Sequence, residues 1–195
     1  MTRHDRSLGA EYFEAMFQGD PDPWKLETSL YEAAKFDQSI AALGRRVYDR
    51  AFEVGCAGGS LTERLAPHCA RLLAIDISET AVARARRRCA ALGQVRIERM
   101  AFPRAVPSMT PFDLIVLSEV AYYWDGGDLD RAAGAVRNAL APGGDLLLVH
   151  YTGETDYPHS GDQAVETLKE AFAGDVEILR AETHDRYRLD LWRRR

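Results

Sequence analysis

The stretch Phe52-Glu53-Val54-Gly55-Cys56-Ala57-Gly58-Gly59-Ser60, followed by an apolar run ending in Asp76, constrains the fold more than any other part of the chain. It reads as a strand turning through glycines into a helix, then a second strand that brings a carboxylate back beside the turn. An open α/β sheet holds a nucleoside ligand in this way. Gly55, Gly58 and Gly59 remove side chains where a ligand must approach the backbone. Cys56 lies in the bend with no histidine near it in sequence, so it reads as a small residue filling a tight turn rather than a nucleophile.

From residue 51 strands and helices alternate. Strands are expected at 51–54, 71–75, 95–99, 112–117 and 146–149. Helices are expected at 60–66, 79–92 and 129–140, the last stopped by Pro142-Gly143-Gly144. The strand runs are continuously apolar rather than alternating, which means burial on both faces and a mainly parallel sheet covered by helices. Right-handed crossovers then favour a doubly wound topology. A helix at 163–171 precedes two strands at 176–181 and 187–192, joined by a polar link and read as an antiparallel pair. The expected class is therefore α/β, with a doubly wound, seven-stranded, mostly parallel sheet and an antiparallel C-terminal hairpin.

This domain, 49–195, is expected to follow a helical or lid segment, 1–48, packed on the core. A helix from Ser29 carries Leu30, Ala33, Ala34, Asp37, Ile40, Ala41 and Leu43 as its apolar stripe until Gly44 interrupts it. Before it, Gly19-Asp20-Pro21-Asp22-Pro23-Trp24 disfavours regular helix. The segment reads as a lid or as a tether, and Trp24, with Tyr12, Phe13 and Phe17, favours the lid, being more aromatic surface than an exposed leader should carry. Arg84, Arg86, Arg87 and Arg88 are expected mostly on solvent, and Arg193-Arg194-Arg195 as a solvated end.

A formal net charge of -5 gives no general attraction to nucleic acid or anionic lipid. No apolar run approaches the roughly 20 residues needed to cross a membrane. The polar start, residues 1–7, lacks the apolar centre of a secretory signal. Cys56, Cys69 and Cys89 form neither a paired framework nor a metal cluster. A cytoplasmic protein with a small-molecule partner, and no nucleic acid, membrane or metal, is the expectation.

A dinucleotide fingerprint would place glycines where Ala57 and Ser60 stand, which weakens the pyrophosphate reading and with it a nicotinamide-dependent reductase. Asp76 can accept hydrogen bonds from ribose hydroxyls in either cofactor class.

Glu53-x-Gly55-x-x-Gly58-Gly59 with Asp76 closely resembles the first two signature segments of class I S-adenosylmethionine-dependent methyltransferases. That family's seven-stranded sheet with a final antiparallel hairpin, the Rossmann-like methyltransferase fold, matches the element order above. The resemblance implies S-adenosyl-L-methionine as cofactor and S-adenosyl-L-homocysteine as product. It implies that the backbone of Gly55, Cys56, Ala57, Gly58 and Gly59 adjoins the methionine part, that Asp76 holds the ribose and that Ile77 packs near the adenine. Glu53 is implied to organise the turn or to meet the amino group through water. In the third segment Ala101 stands where many relatives carry an acidic residue, leaving the adenine to Met100, Phe102 and backbone groups. Residues 112–120 match the fourth segment, whose far end, at Ser118 and Glu119, lies beside the transferable methyl in that family.

A closer resemblance rests on Asp22-Pro23-Trp24, Ser29-x-Tyr31-Glu32-x-x-Lys35-Phe36, Thr155-Asp156-Tyr157-Pro158-x-x-Gly161-Asp162 and Asp185-Arg186-Tyr187-Arg188-Leu189-Asp190-Leu191. Together they look like the NodS family of nodulation methyltransferases, which methylate the free amine of a terminal deacetylated glucosamine in a chitin oligosaccharide. The resemblance implies transfer to the amine of an amino sugar or related small molecule.

An ammonium has no lone pair, so the acceptor must lose a proton before it attacks. Glu119 ends the fourth strand, at the edge where such sheets bind ligands, and is the first choice of base. His150 ends the next strand and has a suitable pKa range. Sugar rings lie well on aromatic planes, so Tyr122, Tyr123 and Tyr157, with Trp24 and Tyr31, are expected to meet substrate. Those aromatics packing the loops is the competing reading. Arg186 is expected either to meet substrate or, with Arg188, to orient Asp190. O-methylation of a sugar or small metabolite, and a non-catalytic cofactor-binding partner, are the rival functions.

Overall fold

The runs Leu72-Leu73-Ala74-Ile75 and Leu114-Ile115-Val116-Leu117 are strands with neither face left to water, as their unbroken apolarity requires. The computed structural model describes residues 3–195; the first two residues of the polar start lie outside the described residues. The elements are α1 (Ala10–Gly19), α2 (Leu30–Leu43), β1 (Ala51–Val54), α3 (Ser60–Leu65), β2 (Leu72–Asp76), α4 (Glu79–Arg88) and β3 (Val95–Arg99), followed by β4 (Phe112–Ser118), α5 (Gly126–Ala139), β5 (Leu140–Tyr151), α6 (Gly161–Ala171), β6 (Val176–Thr183) and β7 (Tyr187–Arg194). The seven strands are ordered β3-β2-β1-β4-β5-β7-β6. Packing divides the chain into two compact units: Gly9–Ala101, and Phe102–Arg195 with residues 3–8. The expected segment 1–48 and domain 49–195 did not contain this division.

In the unit Gly9–Ala101, β1, β2 and β3 are parallel, with Val54 opposite Ile75 and Asp76 opposite Arg99. Helix α1, not foreseen in the sequence, buries Phe17 and ends where Pro21 follows Asp20. Its Glu14 accepts from Ser78 Oγ at 2.7 Å and from the N–H of Thr80 at 3.3 Å, at the start of α4. Hydrogen bonds from Thr80 and Ser78 hold this carboxyl down to about 2. In return Arg84 donates to the carbonyls of Phe17 at 2.8 Å and Pro21 at 3.0 Å, closing the far end of α1. Arg84 is thus a clasp and not a solvated side chain. Arg88 is likewise engaged, as described below.

The expected stripe on α2 is wrong in face. Leu30 is 88% exposed, while Glu32, Lys35, Phe36 and Ser39 are buried with Ala42 and Leu43. Lys35 Nζ lies 2.8 Å from Glu32 Oε2 and 5.3 Å from the centroid of the Tyr31 ring. A buried face built on an ion pair reads in sequence as a solvent face, because periodicity sees polarity and not pairing.

In the other unit β4 is parallel to β5, with Ser118 opposite Val149, and β5 and β6 flank β7 antiparallel. The hairpin is therefore present, with β7 inside and β6 outside. Helix α5 is capped by Asp125 Oδ1 accepting from the Asp128 N–H at 2.9 Å, and leads directly into β5. Pro142-Gly143-Gly144 does not simply stop the helix but lies within β5, where the register jumps from Leu140 opposite Phe112 to Asp145 opposite Leu114. Gly143, at φ 71°, carries that bulge. The arginine tail is also bound: Arg193 reaches Asp145 at 2.7 and 3.1 Å, and Arg194 donates to the Arg137 carbonyl at 2.8 Å. Residues 3–8 join this unit through Leu8 N–H to Tyr123 O at 2.9 Å and Ser7 Oγ to Asp128 Oδ2 at 2.6 Å. Among the described residues no helix is long and apolar enough to cross a membrane.

Candidate active site

The glycine turn is held from below by two carboxylates. Gly55 and Cys56 both donate backbone N–H to Ile75 O, at 2.8 and 2.9 Å, which folds the chain sharply over the end of β2. Gly55, Ala57 and Gly59 have φ of 77°, 47° and 87°, so left-handed residues recur through the turn. Most of the turn's N–H groups are spent inside the fold, those of Gly55 and Cys56 on Ile75 O, that of Ala57 on Asp76 and that of Gly59 on Cys56 O at 2.8 Å, so the turn itself is rigidly held. Ala57 is the exception to glycine there. Its side chain packs with Phe17 and Ala81, against partly buried Phe13, Trp24 and Leu26.

Asp76 closes the turn. Its Oδ2 accepts the Ala57 N–H at 2.9 Å and its Oδ1 accepts the Ser78 N–H at 2.8 Å. Burial pushes the carboxyl up to about 6, against the pull of those amides. Glu53 is buried rather than a surface strand residue; its Oε2 accepts from Thr62 Oγ1 at 2.6 Å and so ties β1 to α3. Burial, and less strongly the neighbouring Asp76 charge, push it up to about 7. Cys56 is buried, and burial raises its thiol pKa, which suits a filler more than a nucleophile.

The turn's glycines have separate reasons. A methyl group on Gly58 would lie 2.7 Å from Glu27 Oε1, whose Oε2 pairs with Arg88 at 2.5 Å. Arg88 Nε also donates to Gly58 O at 2.9 Å. A methyl group on Gly59 would lie 3.2 Å from Ala85 Cα, so there the glycine serves the contact between turn and α4. Neither neighbour was anticipated. Ser78, capping α4 two residues after Asp76, was the available signal, since serine before Glu79 and an alanine-rich helix marks a start.

Ile77 is half-buried, and Met100 donates its N–H to Asp76 O at 3.0 Å, so both lie beside the Asp76 carboxylate's strand end. Ala101 is exposed. Trp24 sits with Phe17, ring centroids 5.4 Å apart, in the cluster behind Ala57, and Tyr31 lies beside Lys35 on α2. The turn thus gathers Glu53, Gly55 to Gly59, Asp76, Ile77, Met100 and Trp24. Ser60 Oγ, where the turn enters α3, is buried without a hydrogen-bond partner among the described residues. A left-handed turn bare of side chains at Gly55, Gly58 and Gly59, an acidic clasp and this orphaned hydroxyl fit a polar ligand such as a nucleoside with an amino-acid arm.

The other unit gathers the remaining residues around the ends of β4 and β5. Ser118 is buried, and Glu119 follows it at φ 57°, left-handed despite its side chain. Glu119 Oε2 accepts from the Tyr122 hydroxyl and from the Tyr151 N–H at 2.9 Å. His150 is 0% exposed, and its Nε2 accepts the Ala121 N–H at 3.1 Å. That bond occupies the lone pair a base would use, so in this arrangement the imidazole holds a turn. Tyr122, Tyr123 and Tyr157 form one aromatic group, with Tyr122 stacked on Tyr157 at 5.3 Å and Tyr123 set against Tyr157 at 4.6 Å. Phe102 is placed with Trp124, 5.6 Å between centroids. Arg186 stands apart, exposed beside Asp185. Arg188, not Arg186, grips Asp190, at 2.8 Å.

Three parallel strands on one side of the order and a final antiparallel pair define the Rossmann-like methyltransferase fold. The crystal structure of N-methyltransferase NodS from Bradyrhizobium japonicum WM9 in complex with S-adenosyl-l-homocysteine has that fold, with a TM-score of 0.83 and 24% identity over 96% of this chain and 99% of that one. Residues 15–150 match the family described as Nodulation protein S (NodS), and the chain belongs to that family. The Nodulation protein S of Rhizobium tropici is 40% identical over 131 residues, 65% of this chain and 53% of that protein. That of Sinorhizobium fredii is 37% identical over 130 residues, 65% and 59% of the two. These matches span little more than half the length of either relative.

Proposed function

We propose that the chain is an S-adenosylmethionine-dependent methyltransferase that acts on the amine of an amino sugar or a related small molecule. The carrying observation is Glu119: a carboxylate at the end of a sheet strand, in a left-handed conformation and with one oxygen fixed by two donors. A solved member of the family is an N-methyltransferase, which supports an amine as acceptor.

The backbone from Gly55 to Gly59, with Asp76, Ile77 and Met100, would hold the cofactor. When bound it supplies a sulfonium methyl that is already electrophilic, so the chain's work is placement, water exclusion and proton removal. Glu119 takes the proton from the acceptor ammonium and leaves a lone pair for attack. Tyr157, half-buried, offers an aromatic plane to a sugar face in this reading. Cys56, Cys69 and Cys89 are buried thiols whose spacing forms no paired framework, which supports a cytoplasmic setting in this reading.

The test is incubation with labelled S-adenosylmethionine and a panel of free glucosamine, deacetylated chitin oligomers and other amino sugars, with the methylated atom located by mass spectrometry. Label on an amine is expected, and Glu119→Gln should lower turnover by about 10²–10⁴-fold, the usual worth of a general base. Label on a hydroxyl, or on no member of the panel, rejects the acceptor class.

A further inference from the structure

The residues around Glu119 form a relay that the proposed chemistry does not itself require. A left-handed backbone is unfavourable for a residue with a Cβ, because the Cβ crowds the following carbonyl. At Glu119 it is upheld by the N–H bond to Val149 O at 2.8 Å and by the two donors on Oε2. One of them, the Tyr122 phenol, is 5% exposed and boxed in by rings: stacked on Tyr157 at 17°, edge-on to Tyr123 at 4.6 Å and to His150 at 5.5 Å. Burial first, then the Glu119 charge, raise its pKa, so the phenol stays a donor. Its hydroxyl is directed at the carboxylate, and little of its ring is left for a sugar.

The backbone that carries Tyr122 is a single 3-10 turn, Ala121–Tyr123, too short to hold itself. Three distant segments hold it. The Ala121 N–H donates to His150 Nε2, Tyr122 O accepts the His159 N–H at 3.3 Å, and Tyr123 O accepts the Leu8 N–H.

We infer that Tyr122 is a positioning residue that aims the Glu119 carboxylate at the acceptor, and that His150 acts one step behind it by fixing the turn that carries the phenol. The inference rests on Glu119 being the base. It reassigns Tyr122 from substrate contact, and His150 from base, to the support of one carboxylate.

Methyl transfer to deacetylated chitin oligomers should be compared in Glu119→Gln, Tyr122→Phe, the double variant, His150→Ala and His150→Gln, with S-adenosylhomocysteine affinity measured by calorimetry. Tyr122→Phe should lower kcat about 10–100-fold, the worth of one hydrogen bond to a charged group, with KM and cofactor affinity within about threefold. The double variant should be no slower than Glu119→Gln, because both changes remove one device. His150→Ala, which leaves the Ala121 N–H without its acceptor, should lower kcat about as far as Tyr122→Phe, and wild-type kcat there would reject its place in the relay. His150→Gln, whose amide oxygen can accept the same N–H, should keep kcat within about threefold. A kcat loss as large as that of Glu119→Gln would make the imidazole itself chemical and reject its place in the relay. Wild-type turnover in Glu119→Gln rejects the base reading. Impaired Glu119→Gln beside wild-type kcat in Tyr122→Phe rejects the positioning role alone. A spectrophotometric titration needs no acceptor: removing the Glu119 charge should lower the ionisation pH of one tyrosine. An unchanged titration would overturn the pairing.

Discussion

In the unit Gly9–Ala101, Asp76 turns both oxygens to backbone N–H groups, of Ala57 nineteen residues earlier and Ser78 two residues later. Asp128, comparably buried in the other unit, takes side-chain donors instead: Ser7 at 2.6 Å, Arg131 at 2.7 Å and Arg104 at 3.1 Å. The first carboxylate shapes a turn from within it, and the second joins pieces far apart in the chain. One unit thus builds its candidate residues from backbone geometry, the other from side chains that meet only after folding. The two should fail differently when a carboxylate is removed.

The largest expected effect is at Asp76. Asp76→Ala removes the carboxylate proposed to hold the ribose and leaves the Ala57 and Ser78 amides without their acceptor; a hydrogen bond to a charged group is worth about 1.5–3 kcal/mol, so S-adenosylhomocysteine affinity should fall by about 10–100-fold, with a loss of stability beside it. Calorimetry checks this, and wild-type affinity would mean the turn does not depend on its clasp. Asp128→Ala should instead act on stability alone. Arg104 and Arg131 are mostly exposed and regain water, which limits the loss to about 2 kcal/mol in denaturant unfolding, with ligand affinity within about threefold. If Asp128→Ala lost ligand affinity as Asp76→Ala does, the contrast between the units would collapse.

The same contrast explains what could be read in advance. The strands, the glycine turn and Asp76 are local: a continuous apolar run, a φ that only small residues tolerate, and a carboxylate at a fixed separation. β1 has the expected bounds, Ala51–Val54, and so does β3, Val95–Arg99, although as an edge strand its Val-Arg-Ile-Glu-Arg alternates and buries only Ile97 fully. Glu119 was readable as a strand end. Its partners were not, because Tyr122 looks the same in sequence whether it meets a sugar or holds a carboxylate, and the Tyr151 donor is a backbone N–H that any residue but proline would supply. Leu8 and Ser7 carry no local signal for a contact more than 110 residues away. On α2, pairing of Glu32 with Lys35 hid the buried face. The Pro142-Gly143-Gly144 break was read as helix chemistry when partner strand β4 makes it a bulge.

A smaller effect separates the buried carboxylates by pH. Glu53, pushed up to about 7, is protonated in the folded chain over a range where the unfolded chain has lost its proton. A raised pKa gives stability that is complete below the unfolded value, about 4.5, and is lost as pH climbs through about 7. Asp76 acts in the same sense between about 3.8 and 6, whereas Glu14, held at about 2, contributes stability above about 4.5 that is lost as pH falls. Glu53→Gln stays neutral throughout and can still meet Thr62. Its unfolding midpoint should therefore decline less than that of the native chain between pH 4.5 and 7. Equal slopes would remove Glu53 from the buried, protonated role.

The smallest effect lies where the backbone-built unit relies on side chains. Arg88 bridges Gly58 O, Glu27 and Glu63, and so fastens the segment before α2 to the glycine turn. These pairs are partly exposed, and such bridges are worth about 0.2–1 kcal/mol, so Arg88→Ala should speed release of S-adenosylhomocysteine by no more than about fivefold. Salt should erase most of that difference, since about 1 M screens exposed charges beyond about 3 Å. Gly58→Ala offers the converse. Its methyl group would displace Glu27 while leaving Arg88 in place, and should reproduce the faster release with little response to salt, because sterics and not charge would open the clasp. Two equally salt-sensitive variants would mean that Gly58 matters to the ion pair alone; two silent ones would mean that the segment is held by Phe17, Trp24 and Arg84 without it.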